Sequence, residues 1–105
     1  MPKCCKTECE KDGTLTLKLL LFAPTGDAYA TAYMQMPVCE DHKMSEEAVR
    51  HTLMNNWEKI CVGFDHVGHQ KPVLARTMWA WVPWEEAEDF YKQNLGQPTK
   101  TVYNN

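Results

Sequence analysis

Four cysteines and one histidine lie in two groups, and the spacing of these groups restricts the fold more than any other feature of the sequence. The first group is near the N-terminus, and the second is a Cys-x-x-His pair that begins 30 residues after the last cysteine of the first. The residues are Cys4, Cys5, Cys9, Cys39 and His42. Thiolate sulfur and imidazole nitrogen are preferred zinc ligands, and four of them complete a tetrahedron. The spacing therefore predicts that the two groups together hold one zinc ion.

Between the two groups, the sequence predicts a β-hairpin. Residues 14–22 alternate leucine with Thr and Lys, residues 23–27 contain the Pro and Gly of a turn, and residues 28–36 have the composition of a returning strand. Cys9 lies 16 residues before the middle of this turn, and Cys39 lies 14 residues after it. Both groups therefore return to the same end of the hairpin, where their side chains can meet.

An amphipathic helix is predicted over residues 46–61, after the second group. Ser45 is a suitable N-cap, and Glu46 and Glu47 suit the first turn because the helix dipole favours acidic side chains there. Apolar side chains then recur at helical spacing, at Val49, Leu53, Trp57, Ile60 and Cys61. Gly63 is expected to end the helix.

The rest of the chain is predicted to add a strand and a second helix. Residues 64–72 are expected to form a loop, residues 73–82 a third strand that can join the hairpin, and residues 84–95 a helix with an acidic start. A length of 105 residues leaves no room for a second core. We therefore expect one α+β domain over residues 1–96 and a loose tail over residues 97–105.

The composition argues against several classes of protein. With 44% hydrophobic and 24% charged residues the chain is too apolar for a disordered protein, and no apolar run approaches the roughly 20 residues of a membrane span. The N-terminal sequence Met-Pro-Lys-Cys-Cys-Lys has no signal-peptide character, so a reduced cytoplasmic chain is expected rather than a disulfide framework. The net charge of −3 disfavours a nucleic-acid or anionic membrane partner.

The order of these features resembles the treble-clef class of zinc fingers. More specifically, it is similar to small bacterial and bacteriophage proteins that begin Cys-x4-Cys and later carry Pro-Val-Cys-x-x-His before a helix. The similarity extends over residues 4–61, roughly half of the chain. It implies that the metal ligands are Cys4, Cys9, Cys39 and His42, and it suggests an origin in a mobile element. Because Cys5 is adjacent to Cys4, the spacing leaves open which of these two thiols takes the first position.

Three thiolates and one imidazole would fill the zinc tetrahedron and leave no position for water or substrate. Zinc sites of this closed kind are structural. The ion is therefore expected to stabilise the fold, and we expect a protein that is not an enzyme.

A second cluster, formed by Asp65, His66 and His69, is a weaker candidate site. A His-x-x-His pair beside an acid could bind another metal, and the dipeptide of Asp65 and His66 resembles the catalytic dipeptide of HNH-type nucleases. In that family the dipeptide lies inside the metal-binding unit, whereas here it follows the helix and the later ligands are missing. A polar loop is therefore the preferred interpretation.

The four tryptophans are many for a chain of this length. Trp57 and one of Trp79 and Trp81 are expected in the core, and Trp84 is a candidate contact for a partner because tryptophan is frequent at interface hot spots.

The leading hypothesis for function is a binding protein that acts through protein contacts, such as an accessory protein of a mobile element that binds a host factor. The alternative is a treble-clef module that binds nucleic acid, although the acidic charge and the presence of only two arginines count against it. A metal-dependent nuclease of the HNH type is the third hypothesis.

Overall fold

A three-stranded antiparallel sheet lies at the centre of the fold, in a computed structural model that describes residues 1–66 and 70–93. The strands are β1 (Leu15–Phe22), β2 (Ala28–Tyr33) and β3 (Met78–Pro83), in the spatial order β2–β1–β3. Two helices, α1 (Glu46–His66) and α2 (Trp84–Gln93), complete the described part of the chain. For Tyr29 and residues 63–66 the description covers the backbone alone. The predicted α+β class is confirmed.

β1 and β2 form the predicted hairpin, and β3 joins the other edge of β1. Both pairings are antiparallel, and Leu19 in β1 lies between Ala32 and Trp79. Alternation along β1 places Leu17, Leu19 and Leu21 on one face, where all three are buried. The alternation of leucines that predicted the strand therefore also places these side chains in the core.

β2 ends at Tyr33, three residues before its predicted end. Residues 35–37 leave the sheet, and pairing with β1 resumes where Leu15 and Val38 exchange both of their backbone hydrogen bonds, at 3.0 and 2.9 Å. Between the Lys18–Tyr33 and Leu15–Val38 pairs, the returning chain has two more residues than β1, and this excess forms a bulge before Val38.

α1 covers the leucine face of the sheet. Its buried side chains Val49, Leu53 and Ile60 belong to the same core cluster as the β1 leucines. Ser45 caps the helix as predicted, because its hydroxyl oxygen accepts the N–H of Ala48 at 3.2 Å.

α1 continues to His66, five residues beyond its predicted end, so residues 64–66 are helical rather than part of a loop. Gly63 was expected to stop the helix, but it lies inside it. A glycine in a helix interior costs only about 1 kcal/mol relative to alanine. This is too little to end a helix whose earlier turns are fixed by the core.

The third strand begins later than predicted, at Met78 rather than at residue 73. Residues Leu74–Arg76 form a short 3₁₀ turn. Thr77 closes this turn, since its N–H donates to the carbonyl of Leu74 and its hydroxyl to that of Val73, both at 3.1 Å. The N–H of Val73 still donates to the carbonyl of Phe22 at the end of β1, at 2.9 Å, so the 3₁₀ turn interrupts the predicted strand between Val73 and Met78.

α2 begins at Trp84 as predicted, directly after β3, and the N–H of Trp84 donates to the carbonyl of Thr14 at 2.8 Å. The predicted end of this helix at residue 95 and the predicted tail over residues 97–105 lie outside the described residues. Neither α1 nor α2 combines the length and the apolar character that a membrane-crossing helix needs.

α2 contacts the sheet face opposite to α1. The hydroxyl of Tyr33 donates to the Glu86 carboxylate at 2.7 Å, and Lys18 approaches the same carboxylate at 3.3 Å. The Tyr33 and Phe90 rings lie 4.9 Å apart, and the Tyr91 hydroxyl donates to the carbonyl of Tyr33 at 2.7 Å. The Tyr33 hydroxyl, aided by the charge of Lys18 and opposed by burial, lowers the pKa of Glu86. These contacts attach the second helix to the sheet.

The substitution Glu86→Gln is expected to lower the free energy of unfolding at pH 7 by about 1 kcal/mol, a value discounted because the carboxylate is partly exposed. Since the pKa of Glu86 lies below its ordinary value of 4.5 in the folded protein, its contribution is complete above that value and is lost as the pH falls through the folded-state pKa. Urea denaturation from pH 7 to pH 3 measures this. Glu88→Gln, at an exposed position of the same helix, is the control, and a difference between Glu86→Gln and wild type that does not shrink toward pH 3 would contradict the assignment.

Candidate metal centre

Four side chains from the two sequence groups converge at one end of the hairpin. The sulfurs of Cys4, Cys9 and Cys39 and a ring nitrogen of His42 all lie within 4.8 Å of one another. Cys4 and Cys39 are buried, whereas Cys9 and His42 are half-buried. The prediction that these four residues meet is confirmed, and they form a cluster that can hold a metal ion.

A compact turn in the N-terminal segment positions the first two side chains. The N–H of Cys4 donates to the carbonyl of Lys11 at 2.9 Å, and the N–H of Cys9 donates to that of Lys6 at 3.0 Å. Glu8 has a positive φ of 66°, a left-handed conformation that is uncommon for a residue with a side chain. This conformation reverses the chain immediately before Cys9, so that its thiol turns back toward Cys4.

The second pair is positioned by a single turn of 3₁₀ helix at Glu40–His42. The N–H of His42 donates to the carbonyl of Cys39 at 3.1 Å. Side chains three residues apart in a 3₁₀ turn lie one above the other. The Cys-x-x-His spacing therefore places the Nδ1 atom of His42 3.3 Å from the Cys39 sulfur.

The two segments are held together by backbone contacts as well as by the cluster. The N–H of Cys5 donates to the carbonyl of Pro37 at 2.7 Å, and the N–H of Gly13 donates to that of Pro2 at 2.8 Å. Gly13 is buried against Pro37, and a Cβ atom at Gly13 would lie only 2.6 Å from the Cβ of Pro37. A glycine is thus required where the N-terminal segment crosses the residues that lead into Val38 and Cys39.

The separations between the donor atoms fit a tetrahedral zinc site. Zinc–sulfur and zinc–nitrogen bonds of about 2.3 and 2.0 Å imply edges of about 3.7 Å between two sulfurs and about 3.5 Å between sulfur and nitrogen. The sulfurs of Cys9 and Cys39 are 3.9 Å apart, and the Nδ1 of His42 lies 3.5 Å from the sulfur of Cys4. These separations are close to the tetrahedral edges, and since all four donor atoms lie within 4.8 Å of one another, the remaining pairs need to approach by at most about 1 Å to bind such an ion.

The surroundings of Cys4 favour its ionised form. Burial raises the pKa of this thiol, but the backbone N–H groups of Lys6 and Cys39 hydrogen-bond its sulfur. Together with the contacts to His42 and Cys9, they bring the pKa of Cys4 down to about 6. A thiol with this pKa is largely a thiolate at neutral pH, which is the form that binds metals.

Cys9 ionises less readily than Cys4. The backbone N–H of Lys11 lowers its pKa, but burial and the neighbouring sulfurs of Cys4 and Cys39 have the larger combined effect, and the pKa of Cys9 is raised. A second thiolate beside the first is disfavoured by charge repulsion unless a cation is present. The cluster is therefore electrostatically suited to a divalent metal ion.

An ion pair joins the two segments at the edge of the cluster. Lys11 follows the first pair by two residues, Asp41 lies inside the Cys-x-x-His turn, and their side chains are in direct contact. This contact raises the pKa of Lys11 and lowers the pKa of Asp41. This pair was not predicted from the sequence, because the two residues meet only after the cysteine groups have been brought together. Both side chains are exposed, so the pair contributes little to stability.

Cys5, the alternative first ligand, lies outside the cluster. Its side chain is exposed, and its pKa is raised by burial of part of the side chain and by the neighbouring Cys4. The chain bends at Cys5, and of these two adjacent thiols only that of Cys4 faces the cluster, where it is buried. The fifth cysteine, Cys61, is buried in α1 and is not part of the cluster.

The other candidate residues have different outcomes. Trp57, Trp79 and Trp81 are partly buried and all pack against the main core, whereas only one of Trp79 and Trp81 was expected there. The role of Trp84 as a partner contact stays a prediction. The weaker cluster of Asp65, His66 and His69 lies outside the described residues, because neither His69 nor the side chains of the other two are described.

Comparisons with protein-family models, with curated proteins and with solved structures find no match for this chain. The similarity to treble-clef proteins and the origin in a mobile element therefore stay predictions. The convergence of the four residues does not depend on them, because it is a property of this chain's own geometry.

We expect Cys4→Ser to weaken zinc binding by more than about 100-fold, which exceeds the effect typical of losing a partner outside the ligand shell. Cys5→Ser, the matched control one residue away, should retain about one zinc ion per chain. Competition titration with a chromophoric chelator measures both affinities. Loss of zinc from Cys5→Ser together with full binding by Cys4→Ser would contradict the assignment.

Proposed function

We propose that this chain is a structural zinc protein that carries no catalytic activity and acts through contacts with other proteins. The observation that supports the zinc assignment is the approach of four donor atoms to within 4.8 Å of one another, from segments that are 30 residues apart in sequence. Three sulfurs and one imidazole nitrogen favour zinc over magnesium or calcium, which prefer oxygen ligands. A donor set that fills the tetrahedron supports a structural role.

The ion would cross-link the N-terminal segment to the base of the hairpin. Residues 1–12 contribute Cys4 and Cys9 to the cluster. Among the described contacts, their other links to the rest of the fold are a few backbone hydrogen bonds, an exposed ion pair and the packing of the two cysteines beside Leu15 and Trp81. A domain of 105 residues has a limited core, so a metal cross-link adds a useful share of its stability. A cytoplasmic location is part of this proposal, because zinc-binding thiols must stay reduced.

The surface supports a role in protein contacts. Met54, Val62 and Met78 are large apolar side chains, and their exposed fractions are 59%, 46% and 59%. The net charge of −3 and the exposed acidic side chains of α2 favour a protein partner over nucleic acid. The narrower proposal, an accessory protein of a mobile element that binds a host factor, rests on the sequence similarity alone.

Removal of the metal is expected to destabilise the protein. Chelation should lower the midpoint of thermal unfolding by more than about 10 °C, because the free energy of metal binding contributes to the stability of the folded state. Circular dichroism melting with and without chelator measures the shift. Addition of Zn²⁺ should restore the midpoint and Mg²⁺ should not. An unchanged midpoint in zinc-free protein would contradict the structural role.

The contact function is tested by affinity capture with the tagged, zinc-loaded chain as bait. We expect one protein retained in a fixed ratio after nuclease treatment of the lysate. A Cys39→Ser bait, which lacks a central ligand, should retain less of it. Nucleic acid as the retained species would support the alternative function, and retention of nothing specific would contradict the proposal.

A further inference from the structure

The outer edge of β3 exposes backbone groups that no described residue pairs with. The hydrogen bond from the N–H of Trp84 to the carbonyl of Thr14 shows which residues of β3 direct their backbone groups toward β1. In an antiparallel pair every second residue of a strand bonds to the same neighbouring strand, so Met78, Ala80 and Val82 bond to β1. The N–H and C=O groups of Trp79 and Trp81 consequently point away from the sheet.

Within residues 1–66 and 70–93, this edge lacks the usual protection against pairing with another strand. Natural edge strands carry charged residues, bulges or prolines. β3 has the sequence Met-Trp-Ala-Trp-Val-Pro with no charged residue, and its one proline is at its end. Beside the edge, a groove of about 300 Å³ lies between α1 and the 3₁₀ turn. It is lined by Arg50, Leu53, Met54, Leu74, Ala75 and Trp79.

We propose that two copies of this chain pair through β3, antiparallel and related by a two-fold axis at Ala80, to form a continuous six-stranded sheet. The sequence around Ala80 is nearly symmetric, with a tryptophan on each side and then Met78 and Val82. In this register Trp79 lies opposite Trp81 of the second copy. Both are residues whose backbone groups point outward, so the two copies exchange four hydrogen bonds.

The side chains suit this register on both faces of the sheet. Met78, which is 59% exposed, lies opposite Val82 of the second copy, and Ala80 lies opposite its own equivalent. On the other face, Trp81 of the second copy enters beside Trp79, where the groove provides space for an aromatic ring. Aromatic cross-strand pairs are among the more favourable contacts between antiparallel strands.

The charges beyond the strand are complementary. In the proposed register Arg76 lies opposite Trp84 of the second copy, next to Glu85 at the exposed start of α2. Among the described residues neither Arg76 nor Glu85 forms an ion pair. The guanidinium of Arg76 lies beside Gly26 in the β1–β2 turn, where its hydrogen bond to the carbonyl of Pro24 is long, at 3.5 Å. Two symmetric ion pairs can form at the ends of the strand pair when this side chain turns toward the second copy. Self-complementary shape, sequence and charge favour a second copy over a foreign strand, and the pairing does not depend on the metal.

The first test is the mass of the zinc-loaded full chain by analytical ultracentrifugation over a range of concentrations. Wild type is expected to form a dimer, and Ala80→Glu should weaken it by at least about tenfold because two carboxylates then face each other on the axis. In the single chain the new carboxylate lies beside Lys18, its cross-strand neighbour, so the fold should persist. Ala28→Glu, at an exposed position on the other edge strand, is the matched control. A monomeric wild type, or a dimer insensitive to Ala80→Glu, overturns the proposal.

The register is tested by covalent trapping in a Cys5→Ser background. Facing residues in a non-hydrogen-bonded antiparallel pair have Cα atoms about 4.5 Å apart, within the range of a disulfide. The variant A80C should therefore form a disulfide-linked dimer on mild oxidation with zinc present, whereas A75C, at another exposed alanine, should not. Equal cross-linking of the two variants would overturn the proposed axis.

Arg76→Glu should weaken the dimer by about two- to fivefold, and adding Glu85→Arg should restore it; failure of this restoration would overturn the register.

Discussion

The exchange of backbone hydrogen bonds between Leu15 and Val38 is the contact on which the rest of the structure depends. It joins the start of β1 to the residue before Cys39, after the chain has left the sheet at residues 35–37. This pair fixes the distance between the N-terminal segment and the Cys-x-x-His turn. The burial of Gly13 against Pro37 and the approach of the four donor atoms both follow from it. The donor atoms then hold this end of the hairpin closed.

β1 connects the metal centre with the two faces of the sheet. Its leucine side chains meet α1, its opposite face meets α2 through Lys18, and its first residue pairs with Val38. Because β1 contacts both helices and pairs with the residue next to Cys39, it holds the cluster and the two helices in fixed relative positions. An ion held by all four side chains would have a complete set of protein ligands, so we propose that function resides on the surfaces that β1 holds in place, including the outer edge of β3.

Sequence reasoning was most successful where a pattern is local and repeated. The alternating leucines predicted β1, the hydrophobic stripe and Ser45 predicted the start of α1, and the distances of Cys9 and Cys39 from the turn predicted their meeting. It failed where local hydrogen bonds or packing decide the result. Thr77 delays the start of β3, and the packing of α1 carries that helix past Gly63. The choice between Cys4 and Cys5 could not be made from spacing, because it depends on how the bend at Cys5 packs against the hairpin, where the N–H of Cys5 bonds to the carbonyl of Pro37.

The separation of the ligands along the chain also has a consequence for synthesis. Cys4 and Cys9 leave the ribosome 30 or more residues before Cys39 and His42. At translation rates of about 5–20 residues per second, this interval lasts roughly 2–6 seconds. During it, the first two thiols have neither their partner ligands nor the strand that shields them. The nascent chain therefore passes through a period in which these thiols are open to oxidation or to other metals, and the period ends only when the hairpin closes.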